Sequence, residues 1–362
     1  MSSAKGWAIN GRFLTQRMTG VQRYANEIVM ALDGLLSEID DAKAPAMRLV
    51  LPPGAAAVPP LSKIAVCRTR VGSGHPWDQF VLPFHAGGGT LSLGNSGPIV
   101  ARNHIVCIHD ANVFVLPESY SRKFVLAYRT LLPLLGRCAA KVATVSQFSA
   151  DMMAKFGVCR REKIFVAPNG HEHVLRWDAR RADLPLIRTL KRPYIFLLGS
   201  TARHKNIGVI LSQAAALDEA GIDIVVAGGG SAIFAASAQV RRPNIHQLGF
   251  VSDDDLAALY ENALCLVFPS RTEGFGIPPL EAMAKGCPVI SSNAASLIEV
   301  GGDAFLYVDP DDRDGWLKTV IALSRDEERR TSLSQKGRER AKLFSWTRSA
   351  QIYLQEMMNL SS

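Results

Sequence analysis

Residues 268–292 of the chain read FPSRTEGFGIPPLEAMAKGCPVISS, and they predict the end of a strand, a glycine-rich loop and a helix, in that order. The strand is the apolar run ALCLVFPS. Pro278 and Pro279 fix φ near the helical value, which suits the first turn of a helix. Gly286 marks the end of that helix. A strand that leads through a tight loop into a helix is the repeating unit of an α/β fold.

The loop and the helix of this stretch carry two glycines and two carboxylates. Gly274 and Gly276 allow the backbone to approach a ligand closely, and the helix N-terminus offers unpaired N–H groups to an anion. Glu273 and Glu281 lie eight residues apart, so both can face one bound molecule. Carboxylates accept hydrogen bonds well from sugar or ribose hydroxyls. The alternative for Glu281 is a helix residue that is solvated or that complements the helix dipole.

Short apolar or β-branched runs alternate with helix-like segments throughout the chain, which predicts parallel sheets with crossover helices. We expect a helix from about Val21 to Leu36. The predicted strands are KGWAIN, MRLVLP, TLSLGN, HIVCIHD and KVATVS in the first half and PYIFLLGS, IDIVVAGG, NIHQLGF, ALCLVFPS and CPVISS in the second. Each half therefore predicts a parallel sheet of its own.

A chain of 362 residues fits two domains of common size. The first series of strands ends at KIFVAPNGHEH, and the polar stretch RWDARRADLPLIRTLKR after it is predicted to be the linker. We expect domains over residues 1–180 and 181–345 and a C-terminal helix over 346–362 that crosses back to the first domain. Ligands bind at the carboxyl ends of the strands in open α/β sheets, so the loops after the strands are the candidate site.

The net positive charge of the chain lies in its first half. Residues 1–181 carry 22 Lys and Arg against 12 Asp and Glu, whereas residues 182–362 carry 19 against 21. A basic domain attracts phosphates, anionic lipid headgroups or nucleic acid, or it serves solubility alone. The chain has no nucleic-acid recognition motif, so we expect no nucleic-acid partner.

Several other classes of site are disfavoured by the sequence. It has no signal peptide and no run of about 18 apolar residues, which predicts a cytoplasmic protein, soluble or peripheral. The six cysteines lie far apart and predict reduced core residues. The stretch AGGGSAI at 227–233 lacks dinucleotide-fingerprint spacing and predicts a glycine-rich loop beside a nucleotide. Ser252 with Asp255, in the run SDDD, predicts a helix-capping box rather than a metal site.

Two cations follow the first predicted strand of the second half. In FLLGSTARHKNIGVIL the strand ends at Gly199, and Arg203 and Lys205 come just before a helix. An arginine can bind a diphosphate bidentately, and a lysine adds a compact charge. Basic loop residues are usually solvated, so this pattern is weak when taken alone.

Polar residues also stand at the predicted strand ends and turns of the first half. A histidine at such a place more often packs as a structural residue than acts in catalysis. The residues are His109 and Asp110 in IVCIHDANVF, Thr19 and Gly20 in RFLTQRMTGVQ, Ser146 in VSQ and Asn169 in PNG.

The segment EGFGIPPLE, with its E-x7-E spacing, closely resembles the donor-site signature of the GT4 family of retaining glycosyltransferases. The other motifs follow in that family's order over nearly the whole chain. The resemblance implies an α/β GT-B fold, in which two Rossmann-like, doubly wound domains face each other across a cleft. It also implies an N-terminal domain that binds the acceptor, a C-terminal domain that binds the nucleotide sugar, and no metal.

The resemblance implies roles for individual residues. Glu281 would bind the ribose diol, and Glu273 with the backbone after it would hold the donor sugar. Arg203 and Lys205 match an R-x-K-N element that binds the diphosphate, and His109 would face the donor sugar. The implied donor-binding set is Gly20, Gly199, Arg203, Lys205, Gly274, Phe275, Gly276, Ile277 and Glu281; the catalytic set is His109, Arg203, Lys205 and Glu273; and the acceptor or cleft set is Thr19, Asp110, Ser146 and Asn169.

The chain looks like the bacterial polysaccharide mannosyltransferases of this family, which implies GDP-mannose as the first donor and a UDP-hexose as the second. The implied acceptor is a saccharide, or a lipid-pyrophosphate-linked saccharide at the inner face of the cytoplasmic membrane, used in surface polysaccharide synthesis. A basic N-terminal domain would there contact anionic lipid. No cofactor besides the donor is implied. The alternatives are another GT-B enzyme, an epimerase or a phosphorylase, and a nucleic-acid-binding protein.

Overall fold

The computed structural model describes residues 6–40, 44–55, 57–101, 103–199, 202–229 and 242–361. The chain forms two compact units. The N-terminal unit contains the described residues of Met1–Pro117, Ser121–Gly170 and Ser345–Ser362, and the C-terminal unit contains those of Glu118–Tyr120 and His171–Phe344. The main boundary thus lies between residues 170 and 171, whereas the sequence placed it at 180.

The N-terminal unit is built on a seven-stranded parallel sheet. Its strands are β1 (Trp7–Asn10), β2 (Met47–Leu51), β3 (Ala65–Arg68), β4 (Gly89–Ser92), β5 (His104–Cys107), β6 (Lys141–Thr144) and β7 (Ile164–Val166). They follow the order β3-β2-β1-β4-β5-β6-β7, and each neighbouring pair is parallel. The central strands are fully buried, as expected when helices cover both faces.

The C-terminal unit is built on a six-stranded parallel sheet. Its strands are β8 (Tyr194–Leu198), β9 (Asp223–Ala227), β10 (Ile245–Gly249), β11 (Cys265–Phe268), β12 (Val289–Ser292) and β13 (Phe305–Val308). The order β10-β9-β8-β11-β12-β13 is that of the Rossmann fold. In both sheets the strand order reverses beside the first strand, between β1 and β4 and between β8 and β11.

Helices connect the strands of both sheets. In the described residues they are α1 (Gly20–Glu38), α2 (Gly74–Phe80), α3 (Asn112–Val115), α4 (Arg122–Cys138), α5 (Gln147–Lys155), α6 (Pro185–Thr189), α7 (Gly208–Leu211), α8 (Ala214–Glu219), α9 (Asp253–Asn262), α10 (Ile277–Ala284), α11 (Leu297–Gly301), α12 (Arg313–Arg325), α13 (Glu327–Ala341) and α14 (Trp346–Ser361).

The two parallel sheets predicted from the sequence are confirmed. Each of the ten strands named there is present, and β7 lies in the stretch KIFVAPNGHEH, which was predicted to end the first series. The sequence missed β3 and β13, which both lie at a sheet edge. Most of β3 is exposed, and β13 is half-buried in its middle, so neither carries the continuous apolar pattern of a central strand. An edge strand is covered less completely, and its sequence signal is correspondingly weaker.

The stretch predicted to be a linker belongs to the C-terminal unit. The backbone N–H of Asp178 donates to Asp254 at 2.7 Å, and that of Asp183 donates to Asp255 at 2.9 Å. Asp255 also forms the predicted capping box with Ser252 at the start of α9, which is confirmed. The carboxylates at the start of α9 therefore hold this segment through hydrogen bonds to its backbone. The polar composition of the segment does not reveal these bonds.

The last helix, α14, packs against α1 within the N-terminal unit. Its Tyr353 hydroxyl lies 2.9 Å from the Tyr24 hydroxyl, which donates to the Ala167 carbonyl at 2.9 Å. Both tyrosines are fully buried, and burial raises the pKa of each well above its ordinary value. A hydrogen-bonded pair inside an apolar contact fixes the position of α14.

Three other features concern classes of site. No described helix is long and apolar enough to cross a bilayer. The six cysteines are unpaired; four are buried, but Cys67 is half-buried and Cys138 is exposed, so the expectation of core residues is wrong for these two. Among the described residues, no group of three or more His, Cys, Asp or Glu side chains could hold a metal ion.

Two buried histidines lie at either end of β5. His104 Nε2 lies 3.1 Å from Ser92 Oγ, and His109 Nε2 lies 2.9 Å from the Leu93 carbonyl oxygen. Burial lowers the pKa of His104 to about 3 and that of His109 to about 4, from an ordinary value of 6.5. Below pH 6.5 the unfolded chain binds protons that the folded chain does not. The contribution of the two neutral histidines to stability is therefore complete above pH 6.5, and it is lost as the pH falls towards their pKa values in the folded protein.

We predict that the free energy of unfolding falls between pH 6.5 and about pH 4.5, by up to about 1.4 kcal/mol per pH unit for each histidine. His104→Gln removes one titrating group and keeps a side-chain donor, so its slope should be shallower. Urea unfolding at several pH values measures both slopes. Equal slopes in the wild type and the variant would contradict the assignment.

Candidate active site

The C-terminal unit brings Lys205 and Glu273 together at the switch point of its sheet. Lys205 ends a short 3-10 turn after β8, and Glu273 lies in the loop after β11, the neighbouring strand. Lys205 Nζ lies 2.7 Å from Glu273 Oε1 and 5.4 Å from the centre of the Phe268 ring. Both side chains are largely buried. Strands diverge at a switch point and leave a crevice where ligands bind, so the pair occupies the expected place for a site.

The loop that carries Glu273 is held in one conformation. Ser296 Oγ lies 3.0 Å from the Glu273 carbonyl oxygen and 3.1 Å from that of Phe275. Gly276 has φ +100, and a Cβ there would lie 2.6 Å from Leu297 Cδ2. Only glycine fits both the conformation and the space. The loop geometry is therefore set by the protein itself.

The side chain of Phe275 does not contribute to the surface of this loop. It is buried and packs edge-on against Phe344, with ring centres 5.5 Å apart. At Phe275, therefore, only the backbone is left to face a ligand. The helix start offers less than its sequence implied, because Pro278 and Pro279 have no N–H and leave Ile277 as the only donor among the first three helical residues.

The 3-10 turn Arg203–Lys205 consists of three basic residues, and each lies in different surroundings. Arg203 is exposed, and its backbone carbonyl accepts from the N–H of Asn206 at 3.2 Å. His204 is buried, and its ring stacks on Tyr120 with centres 6.0 Å apart. Burial, and then the Lys205 charge, lower the pKa of His204, so it is neutral at pH 7. The sequence analysis assigned no role to His204.

Glycines bring three strand ends of the C-terminal unit close together. A Cβ on Gly228 would lie 2.7 Å from the Gly199 carbonyl oxygen, and one on Gly199 would lie 2.9 Å from Ile207 Cγ2. The N–H of Gly228 donates to the Gly249 carbonyl at 2.6 Å. The sheet edge beside Lys205 is therefore bare backbone. The rest of the predicted glycine-rich loop, from residue 230 onward, lies outside the described residues.

Glu281 has protein partners of its own and is not bonded to Lys205 in the contacts described. It lies on α10 and is 4% exposed, so the alternative of a solvated helix residue is wrong. Its Oε1 lies 3.1 Å from His173 Nε2, and its Oε2 accepts from the Tyr260 hydroxyl at 3.2 Å. The sequence analysis missed both partners, since a single histidine or tyrosine carries no spacing signal.

His109, in the N-terminal unit, is a packed and neutral histidine. Its backbone N–H donates to the Asn95 side-chain oxygen at 2.7 Å, and its ring meets the Tyr24 ring edge-on with centres 4.8 Å apart. Because a carbonyl can only accept, Nε2 donates to Leu93, and Nδ1 carries a lone pair. The ring can accept a hydrogen bond at Nδ1, and its pKa of about 4 keeps it uncharged at pH 7.

The remaining predicted residues of this unit lie at starts of helices and at turns. Thr19 and Gly20 begin α1, and the Thr19 hydroxyl bonds to a side chain of the same helix. Ser146 Oγ accepts a backbone N–H and caps α5, and Asp110 accepts a backbone N–H two residues on. Asn169 is buried, and its Oδ1 has no hydrogen-bond partner among the described residues. Local structure thus uses most of these groups.

The sequence analysis missed an ion pair at the switch point of the N-terminal sheet. Arg12, just after β1, has its Nε 3.1 Å from Oδ2 of Asp78, which is fully buried. Asn10 donates to the other carboxylate oxygen at 2.9 Å, and Arg12 also bonds to Ser96, which follows β4. Burial raises the pKa of Asp78 although the Arg12 charge opposes it. This unit therefore has its own polar cluster where β1 and β4 end.

Residues 185–340 match the family model described as "Glycosyl transferases group 1". The matched segment contains Lys205, Glu273 and Glu281. The resemblance inferred from the motifs is confirmed over this segment.

Curated relatives match shorter parts of the chain. It is 32% identical over 225 residues to "O-antigen chain mannosyltransferase RfbU" of Salmonella typhimurium, which is 60% of this chain and 60% of that protein. It is 46% identical over 102 residues to "O-antigen chain mannosyltransferase B" of Escherichia coli, which is 28% of this chain and 27% of that protein. The chain thus spans less than two thirds of the length of these relatives.

Solved structures match nearly the whole chain in fold. Sucrose-phosphate synthase from Thermosynechococcus elongatus has a TM-score of 0.71 at 18% identity, covering 97% of this chain and 98% of that one. WaaG, described as a glycosyltransferase involved in lipopolysaccharide biosynthesis, has a TM-score of 0.70 at 15% sequence identity, and the match covers 96% of this chain and 98% of that one. Anabaena Alr3699/HepE in complex with UDP and glucose has a TM-score of 0.67 at 16% sequence identity, and the match covers 97% of this chain and 98% of that one. The predicted GT-B fold class is confirmed, and the predicted cleft stays a prediction.

Gly276→Ala should destabilise the C-terminal unit by about 1–3 kcal/mol, because φ is positive there and the added Cβ meets Leu297. Gly208→Ala is the matched control, since a Cβ there meets nothing within 4 Å. Thermal unfolding of both variants measures the difference. A Gly276→Ala protein as stable as the Gly208→Ala protein would show that the loop is not strained as described.

Proposed function

We propose that this chain, whose C-terminal unit belongs to the group 1 glycosyl transferases, transfers a hexose from a nucleotide diphosphate donor to a saccharide or lipid-linked saccharide, with retention of anomeric configuration. The observation that carries the proposal is the Lys205–Glu273 pair at the switch point of the sheet, with Arg203 exposed on the same turn. A donor bound there would have a cation for its phosphates and a carboxylate for its sugar.

The chemistry requires negative charge to be stabilised on the departing nucleotide. An ammonium has three donors, so Lys205 can keep its bond to Glu273 and still donate to a phosphate oxygen. Arg203 adds a bidentate donor, and the Ile277 N–H adds a backbone donor. These groups perform the task without a metal ion, so we propose a metal-independent reaction.

The donor sugar would be held by Glu273. Glu273 Oε1 is occupied by Lys205, which leaves Oε2 to accept from a sugar hydroxyl. No carboxylate stands out as a covalent nucleophile, so we favour attack on the front face of the anomeric carbon, assisted by the leaving phosphate.

The donor is proposed to be GDP-mannose first and a UDP-hexose second. The first choice is supported by the relatives named as O-antigen chain mannosyltransferases. The second is supported by Alr3699/HepE, solved with UDP and glucose and with UDP-glucose. We further propose that the acceptor belongs to surface polysaccharide synthesis. None of the relatives described above is named as an epimerase, a phosphorylase or a nucleic-acid-binding protein.

Arg203→Ala and Lys205→Ala should each lower kcat by about 10²-fold or more, because their charge acts mainly as the diphosphate departs. Binding of the unphosphorylated nucleoside should change much less. Steady-state transfer assays and calorimetric titrations separate the two effects.

Lys336→Ala is the control for these variants. Lys336 lies in the same unit, is exposed and pairs only with the exposed Asp303 among the contacts described, so its loss should leave kcat unchanged. Full activity of both the Arg203 and the Lys205 variants would remove them from leaving-group stabilisation.

The first turns of α4 support a proposed contact with an anionic membrane that carries the acceptor. Leu126 is 73% exposed and Phe124 is 38% exposed, and the exposed Arg122 and Lys123 adjoin them. Exposed apolar side chains beside cations suit the interface of a bilayer, where each cation adds about 1 kcal/mol of attraction to anionic lipid. We therefore propose a peripheral location at the inner face of the cytoplasmic membrane.

Arg122→Glu with Lys123→Glu should abolish sedimentation with anionic vesicles at low salt, and Leu126→Ser should weaken it at all salt concentrations. The control is Lys318→Glu with Lys336→Glu, which changes the net charge equally on the C-terminal unit. Vesicles of neutral lipid should not bind the wild type. Equal binding of the wild type and both double variants, or no binding to either lipid, would leave a soluble acceptor as the better proposal.

A further inference from the structure

Two side chains outside the E-x7-E segment hold the carboxylate of Glu281. His173 Nε2 lies 3.1 Å from Oε1, and the Tyr260 hydroxyl lies 3.2 Å from Oε2. His173 and Tyr260 are both fully buried. An ionised carboxylate only accepts hydrogen bonds, so both neighbours are donors. Each oxygen of Glu281 is therefore oriented by one protein donor.

The segment that carries His173 is fastened to the helix that carries Glu281. The His173 ring meets Trp177 edge-on, with centres 5.3 Å apart, and the Trp177 carbonyl accepts from Lys285 Nζ at 2.9 Å. Glu281 and Lys285 are four residues apart, so they lie on one face of the helical segment, one turn from each other. Two contacts on that face fix the segment, which leaves His173 little freedom to turn away.

Tyr260 is fixed just as firmly from the other side. It lies on α9, and its ring meets Phe196 edge-on at 5.3 Å. Glu261, the next residue, pairs with Lys285 at 3.2 Å. Lys285 therefore joins α9 to the segment after His173, and both donors of Glu281 belong to one connected structure.

This arrangement leaves Glu281 suited to one kind of ligand. A carboxylate has about four acceptor positions, and the two protein donors described here use one on each oxygen. A ribose diol presents two adjacent hydroxyl donors, so the orientation of the carboxylate plane decides whether both can donate to it. A carboxylate free to rotate would have to be ordered by the ligand, whereas this one is already oriented.

Resting on the proposed function, we propose that His173 and Tyr260 are positioning residues that fix the plane of the Glu281 carboxylate and thereby let the enzyme select ribonucleotides over 2′-deoxyribonucleotides. Neither residue touches the ligand. Their loss should weaken the preference for the 2′-hydroxyl more than it weakens binding of the nucleotide as a whole.

The test is calorimetric titration of the full chain with GDP and 2′-deoxy-GDP, and in parallel with UDP and 2′-deoxy-UDP. The wild type should bind the better ribonucleotide about tenfold or more tightly than its deoxy form, as expected for a hydrogen bond to a charged group. Glu281→Ala should bring this ratio close to one. Tyr260→Phe, which keeps the ring, and His173→Leu should each lower the ratio several-fold, and His173→Gln, which keeps a donor, should restore most of it.

Val320→Ala is the control for stability, because Val320 belongs to the buried core of the same unit and lies on α12, which carries neither Glu281 nor its two donors. It should lower Tm and leave the ratio unchanged. If Tyr260→Phe and His173→Leu keep the wild-type ratio of ribonucleotide to deoxyribonucleotide affinity while Glu281→Ala loses it, the positioning role is overturned and the ribose assignment of Glu281 stands. A wild type that does not distinguish the two sugars would overturn the ribose assignment of Glu281 as well. Should His173→Leu fail to fold, Tyr260→Phe decides the question.

Discussion

Neighbouring strands run parallel throughout the described parts of both sheets, and this constraint decides which side chains can meet. Every strand of a parallel sheet delivers the loop after it to the same edge, and two such loops diverge where the strand order reverses. Lys205 and Glu273 are 68 residues apart in sequence, yet they meet because β8 and β11 are neighbours. Arg12 and Ser96 meet because β1 and β4 also end side by side. The polar clusters of both units thus follow from topology.

Contacts within the protein itself hold the candidate site of the C-terminal unit in place. Gly276 and Ser296 fix the loop that carries Glu273, and Glu273 in turn holds Lys205. A cation held in place by a carboxylate needs no reorganisation when a phosphate binds, which is how preorganised charges stabilise a transition state. The pairing also gives each of these two largely buried side chains a partner of opposite charge.

Much of this organisation could be predicted from sequence, because it depends on patterns that repeat. Central strands are buried on both faces, so their apolar runs stand out, and the glycines and prolines around Glu273 mark a loop followed by a helix. The edge strands β3 and β13 could not be predicted, because partial exposure removes the continuous apolar run. The segment after Asp178 looked like a linker because its contacts are backbone N–H groups bonded to distant carboxylates.

The partners of the predicted residues could not be found in this way. His173 and Tyr260 reach Glu281 from 108 and 21 residues away, and Asp78 reaches Arg12 across 66, so neither set has a characteristic spacing. These contacts arise only when tertiary packing closes around a buried charge that requires partners. Sequence thus identifies residues that repeat a family pattern, whereas packing identifies the residues that orient them.

Titration of the full chain with GDP-mannose and with UDP-glucose in buffer containing EDTA tests the central claim most directly, because it needs no acceptor. We expect saturable binding of one of the two at one site per chain, with the same Kd after Mg²⁺ is added, and weaker binding when Arg203 and Lys205 are both replaced by alanine. Failure of both nucleotide sugars to bind, or binding that appears only with a divalent cation, would contradict it.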